Sequence, residues 1–170
     1  MSDTPRELLW RDVPPVLRAL GRWITVVQLV GYTLSLAFVF HTTRMVPSGI
    51  AIHYRGSDSG QAAEAAMEFP KSYGEMLTVT HTHLLGMAVI FVLSGLGVAL
   101  CSGLSPRVKR FLVVEPFAAL LISFAAMWLM RYVDARFSIL LELSSLGMAV
   151  TFYLQGWLIL ADLRRVERAS

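Results

Sequence analysis

The sequence predicts an all-α integral membrane protein, a four-helix bundle with one long outer (periplasmic) loop between the first two spans. Composition is the first reason: the mean hydropathy is +0.59 and only 16% of the residues are charged, whereas about a quarter is usual in a soluble domain. The second reason is that the apolar residues form four blocks, each long enough to cross a hydrocarbon core of about 30 Å at 1.5 Å per residue. A length of 170 residues allows one domain.

The four spans follow from the scarcity of charge within each block. The first block has no charged residue between Arg22 and Arg44, and the second has none at all. The third is interrupted only by Glu115 and Pro116 near its start, and the fourth only by Glu142. The predicted segments are an interfacial tail at 1–22, spans at 23–43, 80–101, 111–131 and 137–161, and an outer loop at 44–79.

The distribution of Lys and Arg predicts the orientation. Ten of the 15 basic residues flank the spans on the side of the two termini, and five lie on the other side. Because basic residues beside spans are retained in the cytoplasm, both termini are predicted to be cytoplasmic, and the expected location is a bacterial inner membrane. The same rule explains the sequence pI of about 9.4, so nucleic acid is excluded as a partner.

Four ionisable residues are predicted to lie at one depth near the outer face: His41, His81, His83 and Glu142. Each needs a reason, since an ionisable group within a span costs on the order of 2.5–3.5 kcal/mol. Residues two apart on a helix point about 200° away from each other, so the two histidines of the second span cannot both face the bundle. His83 shares its face with small residues such as Gly86, which favours His83 as the buried member.

Two histidines from neighbouring spans are a common way to hold the iron of a b-type haem. The predicted axial pair is His41 with either His83 or His81, and Arg44 or Arg131 would pair with the haem propionates. This is the leading hypothesis for a cofactor.

A divalent metal ion is the second possibility, with His41, His83 and Glu142 as ligands. A protein without any cofactor is the third, with histidines in headgroup water and Glu142 paired with Arg131. The spacing of the residues does not decide between the three.

A second polar pair lies near the cytoplasmic ends of the spans. Glu115 enters the third span at about the depth where Gln155 leaves the fourth, and a buried hydrogen bond between them is expected. A point where protons enter the membrane is the alternative. The single cysteine, Cys101, sits at the same boundary and is interpreted as inert packing.

Three short motifs carry a resemblance to a family. They are His53-Tyr54-Arg55-Gly56, Phe69-Pro70-Lys71-Ser72 and Thr80-His81-Thr82-His83-Leu84. With them, the chain from His41 onward resembles an uncharacterised family of small four-span bacterial inner-membrane proteins. The resemblance implies the membrane fold and no activity.

Three functions are therefore carried forward. The first is a membrane electron-transfer or quinone-interacting subunit that binds a b-type haem near the outer face. The second is a non-catalytic accessory or assembly subunit of a membrane complex, and the third is a protein that handles a metal ion or protons. Membrane lipid is the expected surrounding, with partner membrane subunits or further copies of the chain as expected protein partners.

Overall fold

The chain is described from a computed structural model, which covers residues 7–57 and 68–169. A short 3-10 turn at Trp10–Asp12 precedes the helices. The helices are α1 (Pro15–Thr43), α2 (Pro47–Arg55), α3 (Tyr73–Ala99), α4 (Pro106–Tyr132) and α5 (Phe137–Ala169).

Four of the five helices, α1, α3, α4 and α5, are long and apolar enough to cross a membrane. The predicted all-α four-span bundle is confirmed. Successive spans run in opposite directions, so both described termini lie at one end of the bundle, called the termini end here. The opposite end carries α2 and is called the α2 end; residues 58–67 of the predicted outer loop lie outside the described residues.

The helices begin at residues that suit a first turn. Pro15, Pro47 and Pro106 each open a helix, where the missing N–H of proline has no cost. The start of α3 is a capping box: Ser72 Oγ accepts a hydrogen bond from Glu75 N at 3.3 Å, and Glu75 Oε2 accepts one from Ser72 N at 2.7 Å. This pairing satisfies two backbone donors and starts α3 at Tyr73, ahead of the predicted span.

The core lies between α3, α4 and α5, and α1 packs on its side. Close approach depends on two glycines. A Cβ on Gly97 of α3 would lie 2.6 Å from Ile159 Cδ1 of α5, and a Cβ on Gly156 of α5 would lie 2.7 Å from Leu29 Cδ2 of α1. Such contacts between small and large residues bring membrane helices together through van der Waals packing.

The proline within α4 leaves a backbone carbonyl that a side chain of α5 satisfies. Pro116 has no N–H, so it cannot bond to the carbonyl of Leu112, four residues earlier. Gln155 Nε2 donates a hydrogen bond to Leu112 O at 2.6 Å, and Gln155 is completely buried. The expected hydrogen bond between Gln155 and Glu115 is not observed: Gln155 Nε2 is used by the carbonyl that Pro116 frees, and within the described residues Gln155 Oε1 and Glu115 Oε2 each lack a partner.

At the termini end, a segment before α1 caps the last turn of α3. Trp10 is buried, its Nε1 donates to Gly97 O at 3.0 Å, and its backbone N donates to Leu100 O at 2.9 Å. Lys109 Nζ donates to Ala99 O at 2.9 Å. Trp10 of the predicted tail inserts into the bundle, where it supplies donors to the final carbonyls of α3.

At the α2 end, residues before α3 dock on α4 in the same manner. Arg55 Nη1 donates to Met130 O at 2.8 Å, and Arg131 Nε donates to Lys71 O at 2.9 Å. Trp128 Nε1 donates to Thr80 Oγ1 at 2.9 Å. Both the loop and the last turn of α4 gain hydrogen-bond partners, so α2 is held against the bundle.

Replacing Gln155 with Leu should destabilise the bundle, because the carbonyl of Leu112 would be left without a donor in an apolar environment. The expected loss is about 1–3 kcal/mol, measured as a lower midpoint of unfolding in detergent. The matched control is Pro116→Ala, which restores the backbone N–H. In the double variant Pro116→Ala, Gln155→Leu the cost of losing Gln155 should largely vanish, and equal costs in both backgrounds would contradict the assignment.

Cys101 should react with a maleimide only when the Trp10 cap opens. Its side chain is 1% exposed, and burial, followed by the charge of Asp162, raises the pKa of the thiol to about 11. At pH 8 about one thiol in a thousand would be ionised. Trp10→Ala should raise the labelling rate at least roughly ten-fold, with a Cys101→Ser, Ala169→Cys variant as the exposed control. Equal rates in the wild type and in Trp10→Ala would show that the cap does not protect the thiol.

Candidate functional site

The three histidines predicted near the outer face are all exposed. His41, His81 and His83 each leave more than a third of their surface uncovered. The prediction that His83 is buried is therefore wrong, whereas His81 is exposed as predicted.

The face of α3 that carries His83 does pack against the bundle nearer the termini end, where Ser94 and Gly97 on the same face are buried. Among residues 7–57 and 68–169, no neighbour covers His83 at its own level. The α1 residues toward the α2 end, including Ser35 and Phe38, are exposed, and α1 contacts α5 more extensively than α3. An open side between α1 and α3 leaves His83 uncovered.

The depth of the two proposed haem ligands also differs. Gln28 Nε2 of α1 donates to Ile90 O of α3 at 3.4 Å, which fixes the register of these antiparallel helices. Toward the α2 end, His41 lies thirteen residues beyond Gln28 on α1, and His83 lies seven residues from Ile90 on α3. At 1.5 Å per residue these separations are about 20 Å and about 10 Å. Within a single chain, the two proposed axial ligands are therefore offset by about 10 Å along the helix axes.

His83 by itself has the geometry of a ligand. Its Nδ1 lies 3.0 Å from Val79 O, and in the tautomer protonated at Nδ1 this is a donated hydrogen bond that leaves Nε2 free. Metal-bound histidines are commonly oriented by such a bond to a carbonyl. One turn further into α3, Gly86 has no atom within 4 Å of the position of a Cβ, so a flat group could approach the helix there.

The other predicted site residues lie as follows. Arg44 is exposed and lies 6.0 Å from the Phe40 ring centroid. Arg131 lies 4.9 Å from the Tyr132 ring centroid and donates to the backbone of Lys71. Both arginines are thus at the α2 end, where propionate partners were predicted, but Arg131 is already engaged.

Glu142 is half-buried on α5, and in the described part of the chain it forms no ion pair or hydrogen bond. The alternative in which Arg131 pairs with Glu142 is therefore not observed. Among residues 7–57 and 68–169, no group of three or more His, Cys, Asp and Glu side chains could hold a metal ion. A metal bound by His41, His83 and Glu142 has no structural support there.

A polar centre in the middle of the bundle stands out instead, and it comprises Glu115, Tyr32, Tyr153 and Thr33. Glu115 lies about 14 Å into α4 from the termini end. Its Oε1 lies 3.2 Å from the position that a Cβ on Gly147 would take. Gly147 lies about 15 Å into α5 from the α2 end. The carboxyl group therefore sits near the middle of the bundle along the helix axes. Within the described residues its Oε2 is buried and has no hydrogen-bond partner.

Two tyrosines belong to the same part of the bundle. Tyr32 lies within electrostatic range of Glu115 and Tyr153, and the two tyrosine rings lie 5.8 Å apart, edge to face. Tyr153 OH and Thr33 Oγ1 are 2.7 Å apart, on exposed parts of α5 and α1.

The sequence alone indicates only one member of this polar centre. Glu115 stands out as the lone acid of its span, but the tyrosines do not differ in pattern from aromatic packing residues. Tyr32 in fact also packs against Phe152 at a centroid distance of 4.5 Å. The polar role of Tyr32 follows only from the arrangement of three helices.

Residues 44–169 match the Aq_1264_TM family, described as a transmembrane helical domain. The chain belongs to this family. The predicted membership of an uncharacterised membrane family is confirmed, and the match covers α2 to α5, while α1 lies before it. No curated protein and no solved structure matches the chain.

Proposed function

We propose that this chain is a quinone-interacting subunit of a membrane electron-transfer assembly, with Glu115 as the group that handles protons. The observation that supports the proposal is the buried, unpartnered Oε2 of Glu115 near the middle of the bundle. An ionisable side chain inside the membrane is expensive and typically serves a proton, ion or substrate pathway. Quinone chemistry needs such a group, because reduction of a quinone to a quinol takes up two protons with two electrons.

Access from the lipid supports the same proposal. Quinones reach their sites through the membrane, and Tyr153 OH with Thr33 Oγ1 forms a hydrogen-bonding pair on an exposed part of the bundle. A hydroxyl group can donate to a quinone carbonyl oxygen. Tyr32 lies next to this pair, with its ring centroid 5.8 Å from that of Tyr153, and is within electrostatic range of Glu115.

A b-type haem is a second candidate component of the same function, and the geometry of His83 favours it. The exposed ring and its Nδ1 contact with Val79 O suit one axial ligand. Because His41 lies at another depth, the second ligand would come from another copy of the chain or from a partner subunit.

The accessory-subunit alternative is supported by α1. Only 6% of its most apolar 18-residue window is buried, compared with 28–39% for the other three spans. A partner's membrane helix could pack against that surface. We further infer a bacterial inner membrane with cytoplasmic termini, supported by the excess of basic residues at the termini end.

The proposed role of Glu115 predicts a change in its carboxyl infrared band. In the full-length protein reconstituted in vesicles, decyl-ubiquinone should bind saturably and shift a carboxyl C=O stretch. Glu115→Gln should abolish that shift, because the amide cannot exchange a proton. Glu142→Gln is the matched control, a half-buried acid of a neighbouring span, and should keep the shift. No saturable binding, or an unchanged band in Glu115→Gln, would contradict the proposal.

The haem component predicts a visible absorption spectrum after expression in a haem-replete host. His83→Ala should remove most of the haem absorption, because the axial bond is lost. His81→Ala, an exposed histidine two residues away, should retain it, and so should His41→Ala. A wild-type protein without haem absorption would remove this component and leave the quinone proposal standing.

A further inference from the structure

We propose that a groove at the termini end binds the phosphate group of an anionic phospholipid. The groove, called the arginine groove here, has a volume of about 410 Å³ and is lined by Arg11, Arg18, Arg165, Ser102 and Asp162, with apolar side chains of α5. Its walls come from the segment before α1, the start of α1, the α3–α4 connection and the last turns of α5. Three of these four parts of the chain each bring one arginine to the groove.

Asp162, the acidic residue that lines this groove, does not neutralise its positive charge. Asp162 is 4% exposed, and Ser102 satisfies both of its oxygens: Ser102 N donates to Oδ2 at 3.0 Å and Ser102 Oγ donates to Oδ1 at 2.5 Å. Arg165 Nη1 also lies 3.7 Å from Asp162 Oδ1. Three arginines against one aspartate leave a net charge of +2 on the lining.

Acids nearby are engaged by other groups. Glu167 pairs with Arg22, Glu7 with Lys109, and Asp12 Oδ2 accepts a hydrogen bond from Leu9 N at 3.1 Å. Within the described part of the chain, Arg11 and Arg18 have no ion pair or side-chain hydrogen bond. Their guanidinium groups are therefore available to an anion.

The depth of the groove matches lipid phosphates. Trp23 of α1 and Trp157 of α5 are 66% and 65% exposed, and exposed tryptophans near the ends of spans mark the membrane interface. Arg18 lies five residues beyond Trp23 and Arg165 eight beyond Trp157, which is about 8 Å and about 12 Å further toward the aqueous phase. That is the headgroup layer, where basic pockets between helices bind anionic lipids.

A second groove of about 370 Å³ adjoins the first and shares Arg165 with it. Arg164 and Arg168 of α5 also line it, so the basic surface continues around the end of the helix. Guanidinium groups bind phosphate oxygens in a bidentate manner. The two adjoining grooves suit a headgroup with more than one anionic oxygen.

The test is a lipid titration of the purified full-length protein in detergent, read out as the melting temperature and as bound lipid in native mass spectrometry. Dioleoyl phosphatidylglycerol should stabilise the protein, and dioleoyl phosphatidylcholine, with the same acyl chains, should not. Arg11→Gln, Arg18→Gln should weaken phosphatidylglycerol binding about thirty-fold. The control is Arg107→Gln, Arg110→Gln, which removes the same charge from exposed residues at the same end but outside the groove, and it should bind within about three-fold of the wild type.

Three outcomes would overturn the proposal. Equal stabilisation by both lipids would show no headgroup recognition, and equal weakening in the two double variants would show general charge attraction. Inorganic phosphate that stabilises the protein as strongly as phosphatidylglycerol would identify a free anion as the ligand. If Arg11→Gln, Arg18→Gln does not fold, the single variant Arg165→Gln replaces it, with Arg107→Gln as its control.

Discussion

The bundle depends on hydrogen bonds to backbone carbonyl groups that have lost, or never had, a partner within their own helix. In hydrocarbon there is no water to replace such a partner, so each carbonyl must find a donor elsewhere in the protein. Leu112 O receives Gln155, Gly97 O receives Trp10, and Met130 O receives Arg55. Each bond joins two parts of the chain that lie far apart in sequence, so satisfying the backbone also assembles the tertiary structure.

Packing is uneven around this frame. Gly97 brings α3 within contact of Ile159 on α5, and the segment before α1 closes the termini end over the same helices. Toward the α2 end, α1 lacks an equivalent contact with α3, and His83 remains open. The residues that match the family, 44–169, are those of α2 to α5. Function that depends on the open side therefore involves a helix outside the matched region.

The sequence was sufficient to predict the spans, because scarcity of charge over about 20 residues has one main physical meaning. It also identified Glu115 and His83 as ionisable residues within predicted spans. It could not predict that His83 is exposed, since periodicity identifies a helical face but not whether a neighbour covers it at that depth.

Two other errors have a similar physical origin. The polar partner of Gln155 was taken to be Glu115, although Pro116 already indicates which carbonyl lacks a donor. Counting four residues back from a proline within a span gives Leu112 directly. For Trp10 no such local signal exists, because its insertion depends on the end of α3, nearly ninety residues away in the chain. A hydrogen bond between residues so far apart in the chain can be identified only from the three-dimensional structure.

The contrast between two acids separates structural roles from functional ones in this bundle. Asp162 is almost fully buried, yet both of its oxygens receive hydrogen bonds from Ser102, so the fold itself accounts for its presence. Glu115 lies deeper in the span, and its buried Oε2 has no donor within the described residues. Buried polar atoms in native proteins are nearly always satisfied, and of these two acids only Glu115 keeps a buried oxygen without a partner. Ionisable groups inside membrane bundles commonly serve a ligand or a proton pathway, and this asymmetry is the reason the proposed function rests on Glu115 rather than on the more conspicuous histidines.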